Sequence, residues 1–281
     1  MTKINTKHKD RLFCSIFGRS ENKKWSLDLY NAINNTSHEN PDDVDIFTME
    51  DVLYMDMKND VALIVEDVLS VYEQQSTFNP NMPVRELIYV SKLYSKYIKK
   101  NKLNIYSNNL IPLPIPKLVV FYNGLREVED TILKLSDAFI DSSPDIEPDI
   151  SVNVKMININ YGKNGEVLEK CKILEEYSWL VDNIREFSVN AEIAEAVDKT
   201  LEEMPESFAL KPFLLMHKAE VSDMCITEYD AAETLKAIGE EYFAEGKAEG
   251  KAESIERINQ MLADGQITKE TAELIIANLS K

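Results

Sequence analysis

Residues 60–75 read DVALIVEDVLSVYEQQ. Two runs rich in β-branched and other apolar residues, from Val61 and from Val68, flank the polar pair Glu66-Asp67. That pattern predicts two strands joined by a tight antiparallel turn. A third run, VLYMDM from Val52, precedes them across Lys58-Asn59-Asp60 and extends the expectation to a three-stranded antiparallel meander. Side chains alternate between the two faces of a strand, so Leu69, Val71, Glu73 and Gln75 share one side, and Tyr72, Gln74 and Ser76 the other. Asp60 opens the strand that pairs with theirs.

Working outward, apolar residues from Asp10 to about Asn34 recur at helical spacing with an interruption around Gly18 and Ser20, which predicts a helix, a break and a second helix. The polar stretch NNTSHENPDD after it is a loop. On the other side of the meander, PVRELIYVSKLYSKYIKK changes period. Val84, Leu87, Ile88, Leu93, Tyr94, Tyr97 and Ile98 trace an apolar stripe, and Pro83 stands where a helix accepts proline. A proline-rich connector leads to KLVVFYNG from Lys117, near-continuously apolar as a strand covered on both faces should be. VNVKMININYG from Val152 is a later strand. Beyond Gly165 the pattern is helical, over 166–186, 189–204 and 229–262, with a short helix from Thr268. The unit AEGKAEGKAE, with almost no apolar side chains, predicts a solvated helical arm. The expected architecture is α/β: a mixed sheet flanked by helices over 1–165, followed by an all-helical region over 166–281.

Charge divides the chain in the same way. Residues 1–120 hold fifteen Lys and Arg against fifteen Asp and Glu, whereas residues 121–281 hold sixteen against thirty-four and carry the whole net charge of −18. The acidic region repels nucleic acid, so any phosphate contact is expected in the N-terminal part. There Lys92, Lys96, Lys99, Lys100 and Lys102 form a basic face on or just past the helix from Pro83. Cys14, Cys171 and Cys225 are widely separated and in no ligand spacing, and the three histidines form no metal or triad pattern. With no signal-peptide pattern and no unbroken apolar span, a soluble cytoplasmic protein without membrane contact is expected.

Taken singly, Asp60 suits a turn and Glu73 a solvated strand. Together, on adjacent antiparallel strands, they form an oxygen-rich pair suited to Mg²⁺ or Mn²⁺. Such an ion lowers the pKa of bound water and offsets charge on a phosphate, which is what phosphodiester hydrolysis needs.

The same residues carry a resemblance. Asn59-Asp60 before a strand, Glu73-Gln74-Gln75-Ser76-Thr77, Asn79-Pro80-Asn81-Met82-Pro83 and Arg85 in the following helix resemble the recombination-promoting nuclease family of YhgA-like transposases, in the PD-(D/E)xK superfamily. Further similar stretches are Asp10 to Gly18, Leu29 to Ile33, Val120 to Gly124, Leu135 to Phe139 and the EGKAEGKAE tail. The resemblance implies a restriction-endonuclease-like sheet and a metal-dependent DNA endonuclease linked to recombination or DNA mobility. It implies Asp60 and Glu73 as ligands of Mg²⁺ or Mn²⁺ and Gln75 as the residue orienting the attacking water. Arg85, Lys92, Lys96 and Lys99 are the expected contacts to DNA. Two positions depart. Gln74 stands where the family commonly has His, on the face away from the acids. Gln75, which the family shares, replaces the superfamily lysine and cannot titrate or carry charge. A catalytically silent member that binds DNA or protein therefore stays open, as does an adaptor that forms homo-oligomers through its C-terminal helices.

Overall fold

The computed structural model describes residues 12–48, 60–140 and 146–226, with the backbone alone at Asp60. The strand expected from Val52, the helix over 229–262 and the helix from Thr268 lie outside these residues. The chain divides into two compact units, Met1–Tyr229 and Asp230–Lys281, of which the first is described here.

Its centre is a six-stranded mixed sheet in the order β1-β2-β3-β4-β6-β5. Strands β1 (Val44–Ile46), β2 (Asp60–Val65) and β3 (Val68–Gln75) are antiparallel neighbours. Strands β3, β4 (Ile115–Tyr122) and β6 (Asn153–Asn158) are parallel, and β5 (Thr131–Lys134) closes the edge antiparallel to β6. Around the sheet lie α1 (Leu12–Phe17), α2 (Lys23–Asn34), α3 (Met82–Lys100), α4 (Gly165–Lys170), α5 (Lys172–Ser188), α6 (Ile193–Glu203) and α7 (Leu210–Met216).

Strand alternation sorts the core into two layers. Val61, Leu63, Val65, Tyr72, Val119, Phe121 and Ile157 join the cluster built by α1, α2 and α4–α7. Ala62, Ile64, Leu69 and Val71 face the other way, against Tyr89, Val90 and Leu93 of α3. Helices thus cover both faces of the sheet, the usual condition for burying parallel strands. The central position expected for the KLVVFYNG run is that of β4.

Several expectations shift in detail. Strand β1 follows the polar loop directly, and β5 is a short edge strand; neither stands out as a long apolar run. The helix expected over 166–186 breaks at Cys171, whose backbone is extended. A boundary near 165 was expected, yet Leu168, Cys171, Leu174, Tyr177 and Leu180 enter the same core as Leu12, Phe13 and Phe121. An amphipathic helix with an apolar face to cover packs wherever the sheet leaves one.

The stripe on α3 differs most. Val84 and Ile88 are exposed, while the buried residues are Met82, Pro83, Glu86, Tyr89, Val90 and Leu93. Among the described residues no helix is long and apolar enough to cross a membrane.

Candidate functional site

The β2–β3 hairpin turns on Glu66-Asp67, with Glu66 in the left-handed region at φ 52°. That two-residue turn fixes the register, which sets Asp60 directly opposite Glu73. Glu73 and Gln75 share one face of β3, and the Gln75 side-chain amide donates to Glu73 Oε1. Gln74 points to the opposite layer, where its Nε2 donates to Asn123 Oδ1 at 2.7 Å. The alternation expected for the Glu73-Gln74-Gln75 triplet is the one observed.

These groups stand at the carboxyl ends of the parallel strands β3 and β4, a common place for ligands in open α/β sheets. Backbones crowd there. A Cβ at Gly124, just past β4, would collide with the Ser76 carbonyl oxygen and come within 2.5 Å of the Tyr122 hydroxyl. Only glycine fits so close an approach.

The next chain segment returns to the same point. Asn79 Oδ1 accepts from the Asn81 N–H at 2.9 Å, a side-chain-capped turn, and Pro83 follows in the first turn of α3. The turn aims the start of α3 at Glu73. Arg85 Nη2 donates to Glu73 Oε1 at 2.5 Å, with Arg85 about a quarter exposed and Glu73 buried. A guanidinium carries five N–H donors in a rigid fork, so one can hold Glu73 while others face outward.

The sequence reading missed Glu86, which is only 1% exposed. It lies on the sheet-facing side of α3 with Met82, Tyr89, Val90 and Leu93. Among the described residues neither of its carboxylate oxygens has a hydrogen-bond partner. Burial pushes its pKa well above the ordinary carboxylate value, the Glu73 charge pushes it further, and Arg85 pulls it back. One available signal was positional: Tyr89, Val90 and Leu93 define a helical seam, and Glu86 falls on that seam three and four residues before the first two.

The expected DNA-contacting lysines separate. Lys96 Nζ donates to the carbonyls of Phe47 at 3.1 Å and Thr48 at 2.8 Å and stacks 4.5 Å above the Phe47 ring. It thus ties α3 to the segment after β1. Lys100 pairs with Asp45 at 2.6 Å, lower on the same seam. Lys92 is half-buried and Lys99 exposed, the latter in the last turn, where cations favour the helix dipole. A cavity of ≈ 720 Å³ lined by Leu87, Val90, Leu118, Ile132 and Met156 has none of Glu73, Gln75, Arg85 or Glu86 in its wall.

Among the described residues no three His, Cys, Asp or Glu form a group that can hold a metal ion. That set contains Glu73 and Glu86 but excludes the Asp60 carboxylate. The side chains that do meet offer carboxylate and amide oxygens, the donors a hard divalent ion takes, and the orphaned Glu86 oxygens are a buried polar feature such an ion would satisfy. None of the three cysteines is in a disulfide, and burial pushes the Cys171 thiol up to about 12, too high for a thiolate ligand at neutral pH. Comparison of the chain with family models, with curated proteins and with solved structures yields no match.

Proposed function

We propose that the chain is a metal-dependent DNA endonuclease of the restriction-endonuclease-like kind, hydrolysing phosphodiester bonds. The observation that carries this is the register: Asp60 stands opposite Glu73 across β2 and β3, with Gln75 on the Glu73 face and Arg85 bonded to Glu73. Asp60 and Glu73 are the residues to hold Mg²⁺ or Mn²⁺. Bound there, the ion lowers the pKa of water and stabilises charge on the phosphate. Gln75 keeps its amide oxygen available to orient a water while its N–H is held by Glu73. Arg85 presents the outward part of its fork to the phosphate, and Lys92 and Lys99 offer contacts to the DNA backbone. Lys96 acts chiefly through the position of α3. Recombination or DNA mobility is the proposed setting.

A second role, binding DNA without cutting it, draws support from one contact. The group at the superfamily lysine position, Gln75, is uncharged and engaged with Glu73.

Incubation of supercoiled plasmid with the purified full chain and Mg²⁺ or Mn²⁺ separates the two. Nicking by wild type that Asp60→Ala and Glu73→Ala abolish supports the endonuclease. Equal nicking by all three proteins overturns it, as does no nicking with either ion. Retarded plasmid mobility without nicking, lost in a Lys92→Ala and Lys99→Ala double variant, is the signature of the silent binder.

A further inference from the structure

We propose that Glu86 is a third carboxylate ligand of the divalent-ion site, donated by α3 to the pair on β2 and β3. This role rests on the metal-dependent function proposed above and adds a residue that neither the strand pattern nor the family resemblance supplies.

Placement comes first. The sheet-facing side of α3 packs Tyr89, Val90 and Leu93 on Leu69 and Val71 of β3. Glu73 continues that face of β3 two residues beyond Val71, and Glu86 continues that side of α3 one turn before Tyr89 and Val90. The two elements therefore bring one acid each to the same end of the same interface. Arg85, adjacent to Glu86, reaches Glu73 at 2.5 Å.

Satisfaction comes second. Glu73 accepts from Arg85 and from Gln75. Glu86 is equally buried, yet among the described residues neither of its oxygens accepts a hydrogen bond. Buried carboxylates are normally paired, hydrogen-bonded or bound to a metal. Among the described residues the first two are missing.

Charge balance comes third. Among the described residues the Arg85 guanidinium pairs with Glu73 beside Glu86, and Asp60 stands opposite Glu73 in the register. With the carboxyls ionised, a single monovalent partner leaves such a set negative, whereas a divalent cation brings two charges and requires several oxygen donors. Carboxylates select Mg²⁺ or Mn²⁺ over the softer metals that thiolates and imidazoles prefer.

The test uses the full chain and Mn²⁺ alone, without DNA, by titration calorimetry and by thermal melting with and without chelator. Wild type, Glu73→Gln, Glu86→Gln and Glu86→Leu are compared. Both Glu86 variants are expected to bind Mn²⁺ at least about 10-fold more weakly, the scale on which even outer contacts of metal sites matter. In chelator they should melt about 2–4 °C above wild type, because the cost of burying an unpartnered carboxyl has gone, and Mn²⁺ should raise their melting temperature less. Full Mn²⁺ affinity in both Glu86 variants, with Glu73→Gln impaired, overturns the Glu86 role and leaves the metal-dependent function standing. Failure of wild type to bind Mn²⁺ overturns both. Weaker binding in the Glu86 variants without higher melting in chelator also overturns the role as stated, since loss of packing alone produces that result.

Discussion

Glu73 and Gln74 are neighbours in sequence and equally buried, each 2% exposed, yet they face opposite layers of the molecule. On the Gln74 side, buried Ser26, Thr200 and Glu176 are hydrogen-bonded and the aromatic rings pack closely: Phe13 sits 4.8 Å from Phe17, 5.3 Å from Phe121 and 5.7 Å from Tyr177, ring centre to ring centre. Gln74 itself is matched by Asn123. On the Glu73 side, two acids, an amide and a guanidinium meet where α3 packs on β3, and among the described residues Glu86 goes unmatched. Equal burial thus has opposite consequences. One layer stabilises the fold, while the other draws on that stability to hold charge away from water, as sites built for binding do.

The largest effect should come from the first layer. Phe13→Ala removes a ring shared by α1, α5 and β4 and is expected to cost about 3–5 kcal/mol, measured by urea denaturation. A cost below about 1 kcal/mol would show that this layer is not the stabilising one.

Arg85→Ala probes the second layer. It removes the guanidinium that holds Glu73 beside Glu86 and should cost about 2–4 kcal/mol, discounted from a fully buried pair because Arg85 is partly exposed. Adding Glu73→Gln should recover part of that loss. If the double variant is no more stable than Arg85→Ala, the ion pair is not what Arg85 contributes.

The third comparison is one of pH, in chelator. Burial, then the Glu73 charge, raises the folded-state pKa of Glu86 well above the ordinary value of 4.5, with Arg85 opposing. A proton held more tightly when folded means stability that is fully present below about pH 4.5 and is lost as pH rises through the folded value. Glu86→Gln lacks this loss. The melting temperatures of variant and wild type should lie close together near pH 4.5 and separate as pH increases, by at most about 1.4 kcal/mol per pH unit. A gap that is constant or that closes with rising pH contradicts the buried, unmatched carboxylate.

The smallest effect serves as a control on neither layer. Glu66→Gly relieves a left-handed turn residue at φ 52° and should stabilise by about 0.5 kcal/mol, the strain relieved exceeding the entropy glycine costs. It should leave Mn²⁺ affinity untouched. A change in that affinity would mean that the hairpin register, not the side chains, governs the site.

Much of this was legible in the chain. Period-two alternation assigned the faces of Glu73, Gln74 and Gln75, and the Glu66-Asp67 turn fixed the pairing that sets Asp60 against Glu73. Those features depend on neighbours in sequence. Glu86 was hidden because hydrophobicity decided which side of α3 faced inward, and Val84, Leu87 and Ile88 outvoted an acid. The tertiary packing of Tyr89, Val90 and Leu93 on β3 overrides that vote, and no local pattern reports it. The lysines were obscured similarly: a basic helical face looks alike whether its ammonium groups meet phosphate or, as at Lys96, backbone carbonyls.

Helix α3 is fastened at both ends. Arg85 grips Glu73 near its start, and some 16 Å further along, at about 1.5 Å per residue, Lys96 and Lys100 grip Phe47, Thr48 and Asp45. Val84 and Ile88 lie across the helix from Glu86, so a roll of about half a turn would exchange them. Two fastenings at different heights resist such rolling as two bolts stop a rod from spinning. The helix cannot relax by turning its acid to water, and Glu86 is kept in the interior as a fixture of the site.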